Sequence, residues 1–293
     1  MKKLLLLIAL SSYLSGHAQT YLTHAILVDP VAQKTFPDET IVYRDGKVLQ
    51  VGPSATIKPP KGAVVIDATG KWVMPGMVDA HVHFFQTGGL YTRPDGIDLR
   101  KYRPYEQEIA WYKEHMEQQL RRYTAAGITT VIDDGTTLAL LKQRDTFANK
   151  DYAPRIYMAG PLISTGYDPP PFDKLTDPDK PIYGVNTPEQ AVEKLSTEYP
   201  SHPDFIKIWY IVLDANVKTG AEKNLPVVKA TIAAAHAQGY KVAVHATERI
   251  TAQVSAEAGA DFLVHDVEDE VVDDAFVKLL KDHKIVLCPT LVV

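Results

Sequence analysis

Met77-Val78-Asp79-Ala80-His81-Val82-His83-Phe84 is the stretch on which the fold turns: a short apolar run that ends in two histidines flanking a valine. Side chains alternate along a strand, so His81 and His83 project to one side and Val82 to the other. The same kind of run recurs at 128–134 (ITTVIDD), 155–160 (RIYMAG), 205–211 (FIKIWYI), 241–246 (KVAVHA), 262–267 (FLVHDV) and 285–290 (IVLCPT). Continuous apolar, β-branched runs of this length are strands covered on both faces, as in a parallel sheet flanked by helices. Seven such strands with right-handed crossovers predict an α/β fold of the TIM-type (β/α)8 barrel class, here with seven strands, rather than an open sheet.

Helix signals fill the intervals. Thr187-Pro188-Glu189-Gln190 offers an N-cap, a proline at the first helical position and a capping-box glutamine. Asn224 is expected to cap a helix over 225–238, with Gly239 as its stop. Trp111, Met116, Leu120 and Tyr123 recur at helical spacing within one helix predicted over 105–126, whose apolar side packs on the barrel. The Pro-rich stretch 160–181 reads as an irregular active-site loop. Upstream, 21–67 divides into short strands, and Arg44-Asp45-Gly46-Lys47 is a hairpin signal because Asp-Gly adopts the positive φ angles of a type I′ turn. The domain reading is therefore 19–70 as part of a small β-sandwich and 71–293 as barrel strands 1 to 7.

The chain begins with Lys2-Lys3, an apolar core from Leu4 to Leu14, and small residues Gly16 and Ala18. That is the pattern of a secretory signal over 1–18, and it predicts an exported, periplasmic or secreted protein without a stable membrane anchor. The apolar core is shorter than the ~20 residues a bilayer span needs; a buried N-terminal strand or helix is the alternative. The 293 residues carry a formal charge of −5. From Gln19 onward there are 29 basic and 36 acidic residues, and no basic excess marks a nucleic-acid binder. The lone Cys288 excludes an internal disulfide and a Cys-rich zinc site.

Five residues stand near the C-terminal ends of predicted strands, where barrel enzymes place their chemistry: His81, His83, Lys207, His245 and His265. Two imidazoles on one side of a strand make a chelating pair for a divalent metal. A lysine inside the apolar run Ile206–Ile208 is costly unless paired, modified or coordinating. Each has a plainer reading: a histidine satisfied within the structure, or a lysine snorkelling from a strand end. His24, His115, His202, His236 and His283 are read as solvated, and Tyr210, Tyr167 and Arg93 as residues within reach of a substrate.

VIDATGKWVMPGMVDAHVHF, followed in order by DFIKIW, VAVHA, LVHDV and CPTL, resembles the amidohydrolase superfamily in its imidazolonepropionase-like and Xaa-Pro dipeptidase-like branch, from about Tyr21 to the chain's end. The resemblance implies that His81 and His83 bind one metal, His245 and His265 a second, and Lys207 bridges both as an N-carboxylated lysine. Two zinc ions are the expected cofactors, with other divalent metals compatible. It also implies hydrolysis of an amide, peptide or cyclic amide bond in a small molecule or short peptide, by a hydroxide between the metals. Lys207 and His265 then belong to the catalytic apparatus; a homo-oligomer is left open.

In that superfamily an aspartate ending strand 8 moves the proton, and none follows Leu291 here. The expectation is therefore a barrel open between strands 1 and 7, with exposed edges and little activity as it stands. Asp266, Asp133 and Asp134 are the nearest substitutes, each more readily read as a loop acid or helix cap. Two other readings remain. His245-Ala246-Thr247-Glu248 also fits the H-x-x-E pattern of a single-metal deaminase, with Glu248 shuttling protons or merely decorating the next helix. A non-catalytic, vestigial barrel is the reading outside enzymology.

Overall fold

The computed structural model describes residues 19–86, 99–170 and 172–290; the secretory signal expected over 1–18 and Arg93 lie outside them. Its contacts separate the chain at Gly76/Met77.

The first unit is one sheet of five strands: β1 (Thr20–Asp29), β2 (Lys34–Arg44), β3 (Lys47–Pro53), β4 (Val64–Asp67) and β5 (Trp72–Val73). The order is β3-β2-β1-β4, and β5 also pairs with β1. Asp45 and Gly46, at φ 51° and 71°, make the tight β2–β3 turn that Asp-Gly predicts. Residues 20–73 form one sheet, and the unit extends past Gly70 to Gly76, because β5 hydrogen-bonds beside β1 at Ile26 and Leu27.

The second unit begins with β6 (Met77–Val82), β7 (Ile128–Asp133) and β8 (Arg155–Met158), a parallel sheet in that order. β9 (Leu162–Thr165), β10 (Ile182–Val185), β11 (Ile206–Trp209), β12 (Val242–His245), β13 (Phe262–Val264) and β14 (Val286–Cys288) form another, ordered β10-β9-β11-β12-β13-β14 and also parallel. A single parallel bridge, Ala159 to Phe205, joins the end of β8 to the start of β11. Both sheets are open, and among the described residues no ladder pairs β6 with β14. Those strands nevertheless face each other, since Cys288 Sγ lies 3.7 Å from Ala80 O.

Burial follows the sequence logic. β11 and β12 are buried almost throughout, and pack under helices in a core that includes Ile206, Ile208, Val242 and Val244. A second core gathers Phe84, Phe85, Met116, Leu120, Val131 and Leu141. Leu162–Thr165, expected inside an irregular loop, is instead a buried strand paired with β11 at Ile208 and Trp209. Pro161 hides it from a sequence reading, because the residue before a proline and the missing N–H both suggest a break.

The helices are α1 (Tyr105–Glu114), α2 (Met116–Ala125), α3 (Leu138–Arg144), α4 (Pro188–Glu198), α5 (Val217–Ala237), α6 (Arg249–Ala258) and α7 (Asp274–Asp282). The capping box of α4 is present as predicted. The helix expected over 105–126 is two helices broken at His115 (φ −105°), whose Nδ1–H donates to Trp111 O at 2.8 Å and whose ring stacks on Trp111. His115 is thus partly buried and hydrogen-bonded rather than solvated. Helix α5 starts at Val217, not 225: Asn216 is its cap, accepting from Thr219 N, and Asn224 lies inside it, donating to Ile211 O. The added turns fit because Gly220 has no Cβ; one built there would sit 2.5 Å from Val212.

Candidate active site

Four strands of the second unit, β6, β11, β12 and β13, deliver the site. At the end of β6, His81 and His83 line a cavity of about 1110 Å³, which Val82 also borders while packing against the apolar core. Their Nε2 atoms are 3.1 Å apart. His83 Nδ1–H donates to the Gly135 carbonyl at 3.1 Å, which leaves Nε2 as the lone-pair nitrogen of the neutral ring.

On β11, Lys207 sits between fully buried Ile206 and Ile208 and is itself 1 % exposed. Its Nζ has no hydrogen-bond partner; Asp134 Oδ1 stands 3.7 Å away, and Asp134 Oδ2 also lacks a partner. Burial lowers the lysine's proton affinity, against the opposing pull of Asp134, and the same burial raises that of Asp134.

His245 ends β12, and His265 follows β13 in a left-handed conformation (φ 79°) that only surrounding contacts can hold in a residue with a Cβ. Its backbone N–H donates to Cys288 O at 3.0 Å, and its ring Nδ1 lies 2.7 Å from Thr290 Oγ1. The imidazoles meet edge to face in a chain: His83 to His81 at 5.0 Å between centroids, His81 to His265 at 4.6 Å, His265 to His245 at 4.4 Å. All five sequence-singled residues therefore line one cavity.

Burial, reinforced by repulsion from Lys207 and neighbouring rings, holds these imidazoles neutral: His81 falls to about 2, His265 to about 4, and His245 well below the ordinary range. Neutral imidazole is the form that binds metal. Among the described residues no group of three or more His, Cys, Asp or Glu is already spaced to close around one ion. The donor set still fits a divalent metal. A tetrahedral zinc with bonds of ~2.0–2.1 Å puts two ligand nitrogens roughly 3.3 Å apart, close to the 3.1 Å of His81 and His83. A buried nitrogen without a partner at Lys207 is the other feature such a group would satisfy.

The proposed acid substitutes do not assemble equally. Asp133 is fully buried, accepting from Phe84 N and Gly135 N. That ties the ends of β6 and β7 together, and burial pushes its pKa well up. Among the described residues lining the cavity, Glu248 is present, while Asp133, Asp134 and Asp266 are not. Glu248 Oε2 accepts from the buried Thr251 hydroxyl at 2.8 Å, so it both decorates α6 and faces the cavity. Tyr210, read as within reach of substrate, does line the cavity, with its hydroxyl donating to Ala221 O at 2.5 Å. Tyr167 does not line it but packs on Trp209, which does. The Gly135 carbonyl and Thr290 are the supports that a reading of single residues does not find; Gly135 lies immediately beyond the run 128–134, and Thr290 is the last residue of the run 285–290.

Residues 72–292 match the model of the amidohydrolase family. An imidazolonepropionase from Acidiphilium cryptum is 26% identical over 157 residues, 46% of this chain and 38% of that protein. Among solved structures, a prolidase complexed with N-methylphosphonate-L-proline superposes with a TM-score of 0.71 at 22% identity, over 94% of this chain and 67% of that one. A Xaa-Pro dipeptidase with bound methionine gives 0.70 at 23%, over 92% and 66%. The chain thus spans about two thirds of these structural neighbours and less than half of the curated relative. An α/β barrel of the TIM type is the fold that the family and these neighbours imply for the parallel strands of 77–290. From the match over 72–292, this chain belongs to the amidohydrolase family.

Proposed function

We propose that the protein is a metal-dependent hydrolase that cleaves an amide, peptide or cyclic amide bond in a small molecule or short peptide. One observation carries the reading: four imidazoles and a buried lysine without a hydrogen-bond partner, brought from the ends of several parallel strands, line a single cavity. His81 with His83, and His245 with His265, would each hold a divalent cation, zinc fitting the nitrogen donors best. Lys207, carrying an N-carboxylate, would reach both, which turns an unsatisfied buried amine into an anion between two cations. When bound, the metals would supply Lewis-acid activation of water and of the scissile carbonyl.

The chain's own residues do the rest. Gly135 O fixes the ring of His83, the Cys288–Thr290 segment fixes that of His265, and the Trp209 ring walls the cavity beside His245. The parallel strands β6 to β14, nine among the described residues where seven were expected because β9 and β10 are added, are the frame we assign to an eight-stranded barrel. The charged start and short apolar core of residues 1–18 support export. A mononuclear deaminase using Glu248 is the second reading, favoured by Glu248 lining the same cavity. Hydrolysis by purified protein on a panel of dipeptides and N-acyl amino acids, abolished by chelation and restored by zinc, tests the first. Ammonia release from an aminated ring without amide cleavage would favour the second, and neither activity in metal-loaded protein would point to a vestigial barrel.

A further inference from the structure

The Cys288-Pro289-Thr290 segment at the end of β14 touches no substrate-facing chemistry in the proposed function, yet its first and last residues make a bracket around one histidine. Cys288 O receives the backbone N–H of His265 at 3.0 Å. Cys288 Sγ reaches the carbonyl of Ala80, the residue before His81. Thr290 Oγ1 lies 2.7 Å from His265 Nδ1. His265 needs such support: its φ of 79° is strained for a side chain with a Cβ, and at 7 % exposure little water remains to hold its ring. Its ring is also wedged between those of His81 and His245.

We propose that Thr290 is a positioning residue that holds His265 as the Nδ1–H tautomer, so that the Nε2 lone pair is the nitrogen left for the cavity. A neutral imidazole has one N–H and one lone pair, and the group that engages one nitrogen decides what the other presents. A hydroxyl oxygen has lone pairs to accept Nδ1–H, and in metal sites such an outer partner aims the ligand ring. The role in metal binding rests on the proposed metal site; the tautomer does not.

The experiment uses the full chain labelled with ¹⁵N-histidine, first stripped of metal. A long-range ¹H–¹⁵N spectrum reports each ring's tautomer, with the His265 signals assigned from their loss in His265→Gln. Wild type is expected to show His265 as Nδ1–H, Thr290→Ser to keep it, and Thr290→Val, isosteric but unable to accept, to lose it. Zinc is then titrated against a chromogenic chelator. In Thr290→Val one zinc should weaken roughly 10–100-fold, the usual effect of losing an outer partner, with the other unchanged and Thr290→Ser within a few-fold of wild type. An unaltered tautomer in Thr290→Val, or a wild-type His265 found as Nε2–H, overturns the proposal. If zinc binds nowhere while Thr290→Val still loses the tautomer, the positioning role stands and the two-metal reading falls.

Discussion

Two regions of the second unit bury an ionisable group without a hydrogen-bond partner, and they differ in everything else. Lys207 on β11 is 1 % exposed, opens onto the cavity and stands among four imidazoles. Glu198, at the end of α4, is 0 % exposed, with both carboxylate oxygens unpartnered, and does not line the cavity among the described residues. It rests against Gly160, where an added Cβ would meet Glu198 Oε2 at 2.5 Å, and repulsion from Asp177 adds to burial in raising its pKa well above the carboxylate range. A buried charge in want of a partner is thus not itself a mark of chemistry. Convergence on a cavity with complementary donors is what separates the lysine from the glutamate.

The strongest way to break this contrast is to replace each group by methionine, which keeps volume and removes ionisation. Lys207→Met should lower kcat/KM for the amide substrate by at least a factor of about 100, exceeding the loss typical of an outer-shell partner. Glu198→Met should leave kcat/KM within about threefold. Equal losses in the two variants would erase the distinction.

Stability sharpens the contrast from the other side. A carboxyl whose folded pKa is raised binds its proton more tightly when folded, so its contribution becomes unfavourable as pH climbs above the unfolded value of roughly 4.3 and levels off beyond the folded pKa. Glu198→Met should therefore raise the unfolding free energy at pH 7 by about 1–3 kcal/mol, the cost of an unsatisfied buried polar group. It should also flatten the decline in stability between pH 5 and 7 expected from this group, as read by urea titrations at several pH values. A variant less stable than wild type at pH 7 would mean that Glu198 has a partner when folded.

The smallest effect belongs to the start of the helix that carries Glu198. Thr187→Ala removes the hydroxyl that accepts from Gln190 N, and should cost about 1 kcal/mol without touching activity.

Much of this was legible in the sequence, because its signals are local. The continuous β-branched runs at β11 and β12 are buried as their composition demands, and the H-x-H alternation places His81 and His83 together on any strand. The Asp45-Gly46 turn and the Thr187–Gln190 capping box were equally readable. What was not legible depends on contacts remote in sequence. Leu162–Thr165 becomes a strand because β10 and β11 lie beside it, and α5 starts at Val217 because Gly220 lets the 212–214 loop approach. His265 adopts a positive φ that nothing in LVHDV announces, held by Cys288 and Thr290 more than 20 residues on. The break at His115 arises from one side chain donating to a backbone carbonyl of its own helix, a competition that apolar spacing does not register.

The central claim is that the cavity's imidazoles and Lys207 act together on divalent metal, and elemental analysis of the purified chain tests it most directly. We expect about two zinc-type ions per chain in wild type and loss of both, or of all but a weakly held one, in Lys207→Ala with its circular dichroism unchanged. Wild-type protein that retains no metal after zinc loading, or a metal content unaffected by Lys207→Ala, would contradict it.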